Sequence, residues 1–154
     1  MSGEIKNALK LKPGELVQDG TSYKLTGDAV NGKPSVLFVM APWCGHCKAI
    51  KGNVEKVASY CHQNIKSMDE VNHCNVFVYQ PDLEPENKHF SGILKVRGFP
   101  SILHFHPNGN FIKEHSGSRE MHVIFDELMK SSGSHDDVGR EKVLSEIKKH
   151  MSRK

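Results

Sequence analysis

An apolar run, Val36-Leu37-Phe38-Val39-Met40, opens directly onto Ala41-Pro42-Trp43-Cys44-Gly45-His46-Cys47-Lys48, and this junction constrains the chain more than any other stretch. A continuous run of that kind suits a strand buried on both faces. From Gly45 onward Ile50, Val54, Val57, Ala58 and Cys61 recur at helical spacing, which predicts one long amphipathic helix carrying the cysteine pair in its first turn. Two cysteines separated by two residues, where a buried strand gives way to a helix, make a dithiol that can close into a disulfide and reopen.

The chain has 154 residues, 37% of them apolar, which suits one domain around one core rather than a two-domain enzyme. Its net charge of +3, from 21 basic and 18 acidic residues, is a mixed surface well short of a nucleic-acid binder's excess. Four cysteines are too few for a disulfide scaffold, so a hydrophobic core must carry the stability. Glu4, Lys6, Lys10 and Lys12 interrupt the N-terminal apolar residues, unlike a signal peptide, and no run reaches transmembrane length. His150-Met151-Ser152-Arg153-Lys154 is not an ER-retention signal, and no glycosylation sequon occurs. The expectation is a soluble, cytoplasmic protein; a secretory protein that had lost its leader would read the same.

Residues 5–11 suggest a short helix ending before the breaker pair Pro13-Gly14. Residues 22–25 form a weak strand candidate, and 75–79 a second buried strand. Ser67-Met68-Asp69-Glu70 fits a capping box, which predicts an extra helical turn between Cys61 and Cys74. A helix is expected over 86–94. Strands 101–105 and 111–114 flank the hairpin turn Pro107-Asn108-Gly109 and should pair antiparallel. Val123, Ile124, Phe125 and Leu128 then mark a helix over 119–129. After a polar loop at 131–137, Val143, Leu144, Ile147 and Met151 share one stripe of a last helix over 141–151. Strands alternating with helices, closed by a hairpin and a final helix, imply an α/β fold with a mixed sheet and helices on both faces.

On Ala41-Pro42-Trp43-Cys44-Gly45-His46-Cys47-Lys48, then Val96-Arg97-Gly98-Phe99-Pro100-Ser101, then Gly117-Ser118-Arg119, the chain resembles the thioredoxin-fold superfamily, with an active site of the protein disulfide isomerase type. The likeness covers roughly residues 23–130. It implies a thioredoxin-like domain over 15–131, an N-terminal extension over 1–14, and a loop with an extra C-terminal helix over 132–154. The implied activity is thiol–disulfide exchange with protein thiol and disulfide substrates, with no cofactor beyond the Cys44–Cys47 dithiol and with neither metal nor nucleic acid.

Cys44, at the helix N-terminus, is the expected nucleophile, since orphan N–H groups and the macrodipole favour its thiolate. Cys47, one turn further in, is the expected resolving thiol. His46 supplies a positive charge or a hydrogen bond beside the thiolate, which favours the reduced form and makes the disulfide more oxidising. Members with histidine there lie near about −180 mV, against about −270 mV for thioredoxin, a gap of about 4 kcal/mol that one side chain does not fill. The resemblance further implies a cis bond before Pro100, a peptide-binding lip of Trp43, Phe99 and Pro100, and a role for Arg119 in lowering the resolving thiol's pKa.

Two positions depart from the family pattern. Phe38 stands where an acid normally lies buried behind the resolving thiol, and residues 75–80 lack the lysine that accompanies it. Loss of both halves of a buried ion pair together is chemically coherent, since either charge alone is costly to bury. Gly52 replaces a helix-kinking proline, so a straighter helix is expected, at a propensity cost of about 1 kcal/mol.

Other motifs carry less. A CxxC pair can be half of a zinc site, but no second pair accompanies it. Cys61-His62 and His73-Cys74 are compatible with a half-buried and a pre-strand thiol, with a disulfide, or with metal. Residues 27–33 imitate a phosphate loop, yet Pro34 replaces the required Ser/Thr and a strand follows in place of a helix. His104 and His106 share a strand face and could ligate metal, but read as partly exposed strand histidines. Arg140, Lys142, Lys148, Lys149, Arg153 and Lys154 read as a solvated helix face or a dock for an acidic partner. Two rival readings follow: a peptide-binding adaptor or chaperone with vestigial redox activity, and a redox-sensing subunit docked through the tail helix.

Overall fold

The computed structural model describes residues 3–62 and 73–152. Strands β1 (Leu16–Asp19) and β2 (Ser22–Leu25) form a hairpin of their own. The central sheet contains β3 (Ser35–Val39), β4 (Asn75–Tyr79), β5 (Ser101–Phe105) and β6 (Phe111–Glu114), in the order β4-β3-β5-β6. Its β3 runs parallel to β4 and antiparallel to β5, and β6 completes the antiparallel hairpin, so the sheet is mixed. The helices are α1 (Gly45–His62), α2 (His89–Leu94), α3 (Met121–Ser132) and α4 (Asp137–Ser152).

Every residue of β3, β4 and β5 is buried, because both faces of the sheet are covered. Alternate residues divide between two cores. Val36, Phe38, Val76, Val78 and Ile102 join α1, α3 and α4, while Leu37, Val39, Phe77, Tyr79, Leu103 and Phe105 join α2 and the β1–β2 hairpin. The C-terminal helix α4 inserts Val143, Leu144 and Ile147 into the first core. Arg140 pairs with Asp126 of α3 and with Asp137, both at 2.9 Å, so it anchors the helix and is no part of a solvated face. Lys142, Lys148 and Lys149 are exposed, while Arg153 and Lys154 lie outside the described residues.

The N-terminal stretch is not the expected helix. Leu9 pairs in parallel beside β4, its N–H donating to the Val76 carbonyl at 2.8 Å and its carbonyl accepting from Val78 at 2.9 Å. Ile5 and Leu11 are buried, and Asn7 adopts a left-handed φ of 72° that a helix would not allow. The exposed ladder groups of β4 and the two cores outside it together outweigh a weak local helical preference. Of residues 86–94, the first two belong to a 3-10 turn (Pro85–Asn87), itself preceded by another (Pro81–Leu83), and only His89–Leu94 is α-helical. The capping box at 67–70 lies outside the described residues.

His104 is fully buried on β5, which corrects its reading as a partly exposed strand histidine. Cys61 is likewise buried rather than half-buried, and both it and Cys74 are thiols inside the first core. Burial pushes Cys61 up to about 12 and Cys74 well above the ordinary thiol value.

Helix α1 is unbroken through Gly52, where an added Cβ would meet open space. Gly52→Ala should therefore stabilise the protein by about 1 kcal/mol in urea denaturation, through the propensity difference alone. A second expectation concerns acid. Val76 donates its N–H to His62 Nε2 at 3.0 Å, tying the end of α1 to β4, and burial pushes His62 down to about 4 from 6.5. Between those values the unfolded chain binds the extra proton, so this group's contribution is complete above pH 6.5 and falls away towards pH 4. The thermal midpoint should drop over that window, and less steeply in His62→Gln, whose amide oxygen can accept from Val76 without titrating.

Candidate active site

The sheet's connectivity assembles the site. Parallel β3 and β4 end at the same edge, and antiparallel β5 begins there, with Val39 opposite both Tyr79 and Ser101. Residues 40–44, 80–84 and 99–100 are thereby brought together. This is the carboxyl end of parallel strands, where open α/β sheets gather their sites.

Past β3, Met40 donates to the Tyr79 carbonyl (2.9 Å) and Cys44 to the Ala41 carbonyl (3.1 Å), which turns the chain into α1. The Cys44 carbonyl accepts the first helical bond, from Lys48 at 3.0 Å, so Cys44 occupies the N-cap position. There a serine or aspartate oxygen would ordinarily accept an orphan N–H. Here the acceptor is sulfur: the Cys47 amide lies 3.4 Å from Cys44 Sγ. The Cys44 thiol in turn lies 3.4 Å from the Phe99 carbonyl, to which it donates.

The two sulfurs differ in electrostatics. Burial raises the Cys44 pKa, but hydrogen bonds from the Cys47 thiol, the Cys47 amide and the His46 amide, with the charge of Arg119, outweigh it and leave it below the ordinary thiol value. Cys47 is pushed up to about 11, chiefly by burial and further by Cys44, against the pull of the Ala41 hydrogen bond and Arg119. One thiol is prepared to ionise and its neighbour to stay protonated.

Of the residues singled out in the sequence, Trp43, Cys44, Cys47, Phe99 and Pro100 converge. The Phe99–Pro100 peptide bond is cis. Trp43 is 64% exposed and stands edge-on to Phe99, ring centroids 5.5 Å apart. His46 joins the site through its backbone N–H, its imidazole being exposed. Arg119, on the exposed loop between β6 and α3, reaches both sulfurs through its charge. Phe38 is fully buried in the same core as Cys44 and Cys47, an aromatic ring in the family acid's place.

Three features escaped the sequence. Asp82 accepts a 2.6 Å hydrogen bond from the Trp43 indole, and the neighbouring Leu83 is 44% exposed. Their signal was available in the segment following a strand expected to run beside β3. The N-terminal stretch also reaches the site: Gln80 donates to the Gly3 carbonyl at 2.7 Å, and a Cβ on Gly3 would fall 2.8 Å from Pro42. Finally, an open cavity of about 240 Å³ borders Cys47, walled by Ile5, Met40, Ala41, Lys48 and Lys51. Among the described residues, no group of three or more His, Cys, Asp or Glu is arranged to hold a metal ion.

The thioredoxin family model matches residues 27–130. Among curated proteins, the chain is 36% identical to protein disulfide isomerase-like 1-1 of Arabidopsis thaliana over 64% of its own length and 18% of that protein's. It is 39% identical to a protein disulfide-isomerase of Medicago sativa over 75% of this chain and 22% of the relative. Against the thioredoxin domain-containing protein 5 homolog of Drosophila melanogaster it is 29% identical, over 90% of this chain and 30% of the relative. The chain thus spans less than a third of these relatives' lengths. With the family model covering most of the sheet and the whole dithiol region, the chain belongs to the thioredoxin family, as a domain of the disulfide-isomerase type.

Proposed function

We propose that the protein is a thiol–disulfide oxidoreductase that exchanges disulfides with protein substrates through Cys44 and Cys47. The observation that carries this reading is the opposed ionisation of two sulfurs one helical turn apart, Cys44 lowered and Cys47 raised to about 11. The Cys44 thiolate attacks one sulfur of a substrate disulfide; a Cys44–substrate bond forms, the substrate S–S bond breaks, and the leaving thiolate takes a proton from water. Cys47 then loses its proton and attacks Cys44 Sγ, closing the Cys44–Cys47 disulfide and releasing the second substrate thiolate. Two electrons pass to the substrate; run backwards, the same steps oxidise a dithiol. Escape of the intermediate before Cys47 attacks allows isomerisation. The sulfurs carry the electrons themselves, so no separate redox group is required.

Exposed Trp43 and the Phe99 ring set edge-on against it form an apolar surface beside Cys44, suited to a partly unfolded chain. The same surface supports the adaptor reading, in which peptide binding persists without exchange. Insulin reduction and scrambled-ribonuclease refolding decide between them. The oxidoreductase reading expects both activities in the wild type and loss of about a hundredfold or more in Cys44→Ser, since a hydroxyl lacks the thiolate chemistry. An inactive wild type that binds peptide as well as Cys44→Ser would establish the adaptor instead.

The second half-reaction carries its own expectation. With Phe38 in the family acid's place, and no carboxylate among the described groups that act on Cys47, its proton leaves to water, for which the bordering cavity provides room. Resolution of a Cys44 mixed disulfide should then be slow at neutral pH and accelerate about tenfold per pH unit as the Cys47 thiolate fraction rises, since burial holds that thiol above the ordinary value. Phe38→Glu should accelerate resolution at pH 7 and flatten that slope, while destabilising the fold by about 3 kcal/mol or more through a buried carboxyl. Stopped-flow trapping with a substrate peptide measures both, and an unchanged resolution rate would refute the account.

A further inference from the structure

Behind the loop that carries Arg119 lies a histidine pair with no part in the exchange steps. His104 on β5 is fully buried, and its Nε2 lies 3.3 Å from Nδ1 of His115, just past β6. His115 Nε2 lies 2.7 Å from the Ser118 carbonyl, and its backbone N–H donates to the Ile102 carbonyl at 2.7 Å. The Ser118 carbonyl belongs to the peptide unit joining Ser118 to Arg119.

The partners fix the protons. A carbonyl oxygen only accepts, so Nε2 of His115 carries a hydrogen. In a neutral His115 the other nitrogen, Nδ1, is then the acceptor, and the donor across the 3.3 Å contact is Nε2–H of His104. That leaves Nδ1 of His104 as a bare lone pair, and this is the buried nitrogen that finds no hydrogen-bond partner. The opposite direction would bury an unsatisfied N–H there, or a charge. His104 is faced by Lys113 of β6, by His115 and by Glu127 of α3, and the Lys113–Glu127 ion pair closes over the same side of the sheet.

The loop needs such a hold. Residues 116–120 are exposed, and Gly117 takes a φ of 98°, a conformation that leaves this turn to glycine. A charge on a free loop acts on the sulfurs only as an average over positions, and Coulomb attraction weakens with distance. We infer that His104 and His115 form a positioning relay that fixes the Ser118–Arg119 peptide and so holds the Arg119 charge where it favours the Cys44 thiolate. The inference rests on the exchange reading only for its use; the coupling it asserts is a property of thiol ionisation and is measurable without catalysis.

The test is the pH profile of Cys44 alkylation by iodoacetamide, followed by mass spectrometry in the full chain. His115→Leu, which cannot bond to either partner, should move the Cys44 midpoint upwards and slow alkylation at pH 7 by roughly two- to fivefold, the scale of an exposed charge interaction. His115→Gln, whose amide oxygen and nitrogen can accept from His104 and donate to Ser118, should restore the wild-type profile. Arg119→Met should reproduce the His115→Leu shift, and adding His115→Leu to it should produce no further change. An unmoved midpoint in folded His115→Leu, or a full additional shift in the Arg119→Met background, overturns the relay. Should His115→Leu not fold, long-range 1H–15N NMR of the wild type decides: the relay requires His104 protonated at Nε2 and bare at Nδ1, and the other tautomer excludes it. A protein that shows the coupling yet fails to reduce insulin would lose the proposed function and keep the relay.

Discussion

The first turn of α1 presents N–H groups that no residue inside the helix can accept, and the sulfur of Cys44 is the side-chain atom that meets them. An oxygen in that place would be an ordinary cap. Sulfur there becomes an ionisable atom in a field that favours its anion, because the N–H groups and the helix dipole are already oriented and need no reorganisation when charge develops. Much else in the molecule serves to keep that turn where it is. β3 is buried on both faces and anchored by ladders on both edges, so the residue at which the helix starts cannot drift. Gln80 holds Gly3 by its carbonyl, and Gly3 in turn lies close against Pro42 of the turn.

The same burial that fixes the first sulfur sets the second apart. Cys47 lies one turn deeper, where desolvation dominates and few donors reach it, so the two thiols separate in acidity although they are chemically identical. A carboxylate in place of Phe38 would bury a charge under the sheet, whereas the phenyl ring packs the core. Arg119 acts on both sulfurs from outside the core, which makes the backbone that carries it part of the site's electrostatics.

Much of the fold was legible because burial writes a period into the chain. β3, β4, the β5–β6 hairpin, α1 and α3 all carry uninterrupted apolar runs, helical stripes or a turn signal, and each was found within a few residues of its position. Residues 5–11 read as a helix because Ile5, Ala8 and Leu11 recur at helical spacing, whereas the deciding partner, the open edge of β4, lies some seventy residues away. Arg140 read as solvated for a similar reason, since Asp126 meets it only once α4 folds back on α3. His104 occupies an inward position of a strand, yet a histidine there is tolerated only with a donor or acceptor to satisfy it, and His115 comes into reach only through the hairpin.

From its sequence alone, this chain determined the dithiol, its place between a buried strand and a helix, and the family, because these are local: spacing, periodicity and contiguous motifs express them directly. What tertiary structure decided was the difference between the two sulfurs, the latching of Trp43 by Asp82, and the path from a buried histidine to the Arg119 loop. Each of these depends on distances between groups far apart in the chain and on how much water is excluded between them. Desolvation and Coulomb energy are functions of three-dimensional position, and no residue carries that information by itself.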